Sequence, residues 1–146
     1  ITAIFEVPYA AGKLVARCYD AKGVEVATET LKTVGAPAAI KLIADRSNIK
    51  ADRNDLSYVQ VQIVDAEGNL VPDAATMVNF NINGNGEIAG VGTGNSTDVS
   101  SYQQPRKKTW QGKCLAIVRP NGGAGKVVLT ASADGLKSAN VEIVTK

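Results

Sequence analysis

Two aromatic residues stand beside the longest polar run of the chain. Tyr102 and Trp110 follow or flank Asn95, Asp98 and Gln103 in a segment, 92–105, that carries no strand pattern. An exposed aromatic ring offers a flat apolar face to the C–H side of a pyranose, and amide or carboxylate groups at its rim bond the hydroxyls. Tyr102, Trp110, Asn95, Asp98 and Gln103 are therefore the candidate carbohydrate contacts. The competing reading is that Trp110 covers one end of the core.

Other chemistry is constrained by what the chain lacks. It contains no histidine, which removes the commonest general base, the usual partner of a serine or cysteine nucleophile and the commonest zinc ligand. Cys18 and Cys114 lie too far apart in sequence for a redox pair or a metal knuckle. Both are expected as small buried hydrophobes on strands, a long-range disulfide being the alternative. Asp20, Asp55, Asp65, Asp73 and Asp134 fall at strand ends or turns, where aspartate caps local backbone. Asp52-Arg53-Asn54-Asp55 lacks the glycine and glutamate of an EF-hand loop. The glycines from Gly84 to Gly94 precede no Lys-Ser/Thr and no helix, so they make a turn and a bulged strand, not a phosphate cradle. No catalytic, metal or cofactor residue is assigned.

The elements that must position the candidate site read as strands. With 146 residues, 45% hydrophobic and 21% charged, the chain can bury a core but is too short for a (β/α)₈ barrel. A net charge of +2 without a long basic run gives no footprint for nucleic acid, and no apolar run is long enough to cross a membrane as a helix. Val59, Val61 and Ile63 alternate with Tyr58, Gln60 and Gln62; Val78, Phe80 and Ile82 alternate with Asn79, Asn81 and Asn83. Further strands are expected over 39–46, 87–91, 113–119, 125–134 and 139–145. Turn chemistry separates them at 65–69, 83–86, 120–123 and 134–135.

Seven such strands after Pro37 predict an all-β fold, an antiparallel immunoglobulin-like β-sandwich. Before it, 2–7, 14–20 and 24–33 read as a β-hairpin with a third strand, a remnant of an upstream sandwich, with 34–37 as linker. Residues 1–36 thus form the end of a preceding module and 37–146 the terminal domain. Three strands with one apolar face need a second layer, supplied by upstream chain, by the second domain or by a homodimer through residues 1–34. Since the chain opens at Ile1 directly in a strand pattern, it reads as a piece of something longer.

Phe5-Glu6-Val7-Pro8-Tyr9, Tyr19-Asp20-Ala21-Lys22-Gly23, Asp55-Leu56-Ser57-Tyr58-Val59, Val64-Asp65-Ala66-Glu67-Gly68-Asn69-Leu70-Val71-Pro72 and Gly112-Lys113-Cys114-Leu115-Ala116 occur in this order. The set resembles the C-terminal region of bacterial glycoside hydrolase family 2 enzymes of the β-galactosidase type. That resemblance implies immunoglobulin-like modules following a catalytic barrel that holds the acid/base and nucleophile glutamates, so none of those roles falls on a residue here. Gly92-Thr93-Gly94-Asn95 stands where related modules often have Gly-Asn-Gly-Asp, and the carboxylate is missing. The implied function is a non-catalytic accessory module partnered by the other domains of a parent chain, located outside the cytoplasm of a bacterium. Its alternatives are a carbohydrate-binding module using segment 92–105, and a ligand-free spacer or adhesin-like repeat.

Overall fold

The computed structural model describes residues 2–146, and these divide into two compact units, 2–34 and 35–146. Ile1, which the expected module of residues 1–36 includes, lies outside the described residues.

In the first unit, β1 (Lys13–Tyr19) pairs antiparallel with β2 (Glu25–Lys32). Asp20 closes the turn between them: its Oδ1 accepts the backbone N–H groups of Lys22 and Val24 at 2.8 and 2.9 Å, and Gly23 supplies the positive φ. The third strand expected over 2–7 is absent, because strand conformation persists where a neighbour takes the ladder hydrogen bonds and this unit supplies none there. Every residue of β1 and β2 is exposed. The expected burial of Cys18 is corrected for the same reason: a two-stranded ribbon has no second layer to enclose it. Cys114 is buried as expected, and both thiols are free.

Among its described residues the second unit has no helix and nine strands. β3 (Ala39–Ala44), β5 (Ser57–Val64), β7 (Gly86–Gly92) and β9 (Lys113–Pro120) form one sheet in the order β3-β5-β9-β7. β4 (Asn48–Ile49), β6 (Met77–Gly84), β8 (Arg106–Lys108), β10 (Gly125–Ser132) and β11 (Ala139–Thr145) form the other in the order β4-β11-β10-β6-β8. All pairs are antiparallel except β4 with β11. This is the expected all-β immunoglobulin-like sandwich.

Alternation places the core as expected. Val59, Val61 and Ile63 from one sheet and Val78, Val127, Leu129 and Ile143 from the other are wholly buried, with Tyr58 and Asn79 exposed between them. The seven expected strands are all present, within a few residues at their ends. Two short ones, β4 and β8, are additional. The glycine-rich stretch makes the turn and bulge anticipated: Gly84 has φ 96°, and the register of β7 against β9 shifts between Ile88 and Gly90.

Asp65 ties the connection after β5 to the start of the unit. Its Oδ2 accepts the Gly35 N–H at 2.9 Å, and its Oδ1 accepts those of Glu67 and Asn69 at 3.0 and 2.8 Å. These donors, Gly35 foremost, hold its carboxyl far below the usual carboxylate range. The segment that follows is seated by Val71 N–H on the Ile63 carbonyl.

Leu129 sits mid-strand in β10 with no exposed surface. Its replacement in Leu129→Ala should cost about 3 kcal/mol of unfolding free energy, read as a lower urea midpoint at unchanged slope.

Candidate functional site

Trp110 owes its position to a two-residue hairpin turn. Its N–H donates to the Lys113 carbonyl at 2.8 Å and its carbonyl accepts from the Lys113 N–H at 3.0 Å. The central residues Gln111 and Gly112 have φ of 50° and 73°, the backbone of a type I′ turn. Only glycine fits the second place, since a Cβ there would lie 2.3 Å from the Val71 carbonyl oxygen. Thr109, one residue before the tryptophan, is buried and pins it from below: its Oγ1 donates to the Ala74 carbonyl and accepts the Thr76 N–H, both at 2.8 Å. Trp110 is 46% exposed.

Two depressions flank that ring. The larger, about 780 Å³, is lined by Gln60, Leu70, Pro72, Asp73, Gly92, Thr93, Gly94, Trp110, Gln111, Lys113, Cys114 and Leu115. Strand register explains how residues distant in sequence meet: Gln60 on β5 pairs with Leu115 on β9, which pairs with Gly92 on β7, so the three form one cross-strand row. The row lies on the outer face of its sheet, because Val59, Val61 and Ala116 on either side of it point into the core. The smaller depression, about 180 Å³, is lined by Ala75, Thr93, Asn95, Asp98, Lys108, Thr109 and Trp110. Thr93 borders both, and its buried hydroxyl has no hydrogen-bond partner among the described residues.

Segment 93–105 is fastened by Lys107. This side chain is fully enclosed on β8, opposite Val78 and therefore on the core-facing side of an edge strand. Its Nζ lies 2.9 Å from Asp98 Oδ2, donates to Ser100 Oγ at 2.8 Å and to the Ser100 carbonyl at 3.1 Å, and sits 4.7 Å from the centre of the Tyr102 ring. A buried ammonium must be paired and hydrogen-bonded, and here all its partners come from 98–102. The Lys107 ammonium and the Ser100 N–H on Asp98 Oδ1 lower the Asp98 carboxyl to about 2. Burial pushes the Cys114 thiol in the opposite sense, up to about 12, so it is no nucleophile at neutral pH.

The five candidate contacts are thus divided. Trp110, Asn95 and Asp98 come together at the smaller depression. Tyr102 is 63% exposed, but it faces the Lys107 ammonium and, like Gln103, lines neither depression. Asp98 is engaged by Lys107, and Asn95 Oδ1 accepts the Thr97 N–H and Oγ1 in a local turn. Gln60, Asp73, Gln111 and Lys113, none of them marked as contacts in the sequence, join the tryptophan instead. The one sequence signal for them was the Gln111-Gly112 turn. Among the described residues no three histidine, cysteine or acidic side chains converge as a metal would require.

The fastening has a sign in pH. Asp98 titrates near 3.8 when unfolded and about 2 when folded, so its contribution is present above about pH 4 and lost as pH falls toward 2. Asp98→Asn should flatten part of the acid-induced fall in thermal midpoint between about pH 4 and pH 2. A melting series whose slope there matches the unsubstituted chain would contradict the ion pair.

Comparison with known proteins gives consistent matches. Residues 40–142 match the model for glycoside hydrolase family 2 C-terminal domain 5. The β-galactosidase BoGH2A of Bacteroides ovatus is 42% identical over 131 residues, 90% of this chain and 15% of that protein. A β-galactosidase of Thermoanaerobacter pseudethanolicus is 30% identical over 125 residues, again 15% of its own length. A solved glycosyl hydrolase family 2 member from Bacteroides cellulosilyticus is 41% identical with a TM-score of 0.91, over 96% of this chain and 18% of that one. The chain therefore spans less than a fifth of the length of each of these three relatives.

Proposed function

The chain belongs to the glycoside hydrolase family 2 C-terminal domain 5 family, and on that premise we propose that it is a non-catalytic accessory module of a β-galactosidase-type enzyme. The observation that carries this reading is the extent of the matches: relatives named as β-galactosidases are similar over only 15% of their length. The acid/base and nucleophile then belong to another part of the parent chain. Nothing in the larger cleft competes for those roles, since Asp73 is its sole carboxylate and glycoside hydrolysis needs two facing acids.

In this reading residues 1–34 are the end of a preceding sandwich. Leu14, Val15, Tyr19, Val24, Val26 and Leu31 are exposed, and upstream strands of the parent would supply the layer that a ribbon needs; self-pairing of two copies is the alternative. An extracytoplasmic bacterial location belongs to the same proposal.

A second reading, carbohydrate contact, is favoured by one observation: Trp110 is half exposed and lines an open cleft, where its ring can meet the apolar face of a sugar.

The accessory role is tested by assaying the 146-residue chain and a parent enzyme lacking residues 35–146 on a nitrophenyl β-galactoside. The chain alone should give no rate above buffer, and the shortened enzyme should melt at lower temperature than the intact one. Hydrolysis by the chain that persists on repurification would overturn the proposal, as would a shortened enzyme unchanged in both activity and stability.

A further inference from the structure

We propose that the larger cleft beside Trp110 is a binding site for a neutral oligosaccharide, lying across the outer face of the β3-β5-β9-β7 sheet. The inference deepens the accessory-module reading, on which the choice of a galactose-containing ligand rests. It moves the contact surface from segment 95–103 to the opposite flank of the tryptophan.

Four features of the cleft support this assignment. The first is size: about 780 Å³ falls within the range of small-molecule sites, whereas the 180 Å³ depression beside Asn95 and Asp98 does not. The second is the pairing of surfaces. A pyranose has an apolar C–H face and a rim of hydroxyls, and the cleft offers an indole, Leu70, Pro72 and Leu115 together with the amides of Gln60 and Gln111 and the carboxylate of Asp73. The third is charge. Asp73 and Lys113 are the only ionic side chains lining it, one of each sign, so it offers no excess cation for a uronate. The fourth is open space along the row Gln60-Leu115-Gly92. At its end a Cβ on Gly92 would meet nothing within 4 Å, so the cleft is left clear where any other residue would stand in it.

The amide of Gln60 is held in place for such a role, its Oε1 accepting from Gln62 Nε2 at 2.7 Å. That leaves the Gln60 amino group to donate. Rigid placement reduces the ordering cost that binding must otherwise meet. The positive φ of Gln111 similarly fixes the side chain next to the indole on a constrained turn.

Trp110 is the chain's single tryptophan, so its emission reports on ligand at this ring, and a variant of the larger cleft alone assigns the signal to that flank. The probe is β-1,4-galactotetraose, titrated to millimolar concentration, with a galacturonate tetramer as the charged comparison. A saturable emission shift with the neutral sugar is expected, and calorimetry should give an affinity about tenfold or more weaker in Trp110→Ala. Gly92→Leu, whose Cβ would meet nothing within 4 Å, should abolish the shift while keeping the melting temperature. Tyr102→Ala should bind as the unsubstituted chain does. The proposal is overturned by an absent response to the neutral sugar, by full binding in Gly92→Leu, or by tighter binding of the galacturonate. Any of these would leave the accessory role standing, since that rests on the deletion experiment.

Discussion

A single buried ammonium organises one end of the second unit. Lys107 lies on a three-residue edge strand with its side chain turned inward, a placement that costs solvation and is tolerated only when every donor finds a partner. Asp98, Ser100 and the face of Tyr102 meet that demand, and in meeting it they draw a long polar segment against the sheet edge. Backbone bonds complete the attachment: Val91 N–H donates to the Tyr102 carbonyl and Phe80 N–H to that of Pro105, one from each sheet. Segment 93–105 is thus a fastened cover, and its first residues, Thr93 and Gly94, become one wall of the cleft.

The opposite wall depends on a second buried charge satisfied by neutral donors. Asp65 gathers N–H groups from its own turn and from Gly35, and the chain leaving that turn carries Leu70, Pro72 and Asp73 to the cleft. Between the walls stands Trp110, set by a type I′ turn that needs Gly112. The cleft is therefore a product of three local devices acting on one rigid sheet face, which is how a site can be placed with precision on a β-sandwich.

Much of this was legible in the sequence and some was not, for definite reasons. Strands of seven or eight residues declare themselves by alternation, so β5, β6, β9, β10 and β11 could be read directly. β4 and β8, at two and three residues, are too short to show a period. Residues 2–7 look like a strand but have no neighbour in their unit, and Cys18 has no second layer over it. Alternation reports which face is apolar, not whether anything covers it. Trp110 could be singled out as an aromatic near polar groups. Its companions could not, because Gln60, Leu115 and Gly92 are joined by strand register, which composition does not encode. Lys107 reads as one of three consecutive basic residues, and its burial follows from pairing opposite Val78.

The claim that joins these observations is that the chain presents its ligand surface on the sheet side of Trp110 and not on residues 95–103 of the fastened segment. Backbone amide chemical-shift mapping on titration with β-1,4-galactotetraose tests it most directly. The account predicts perturbations concentrated at Gln60, Gly92, Gly94, the Trp110 indole N–H and Leu115, with residues 98–103 unmoved. Shifts confined to 95–103, or none at saturating sugar, would contradict it.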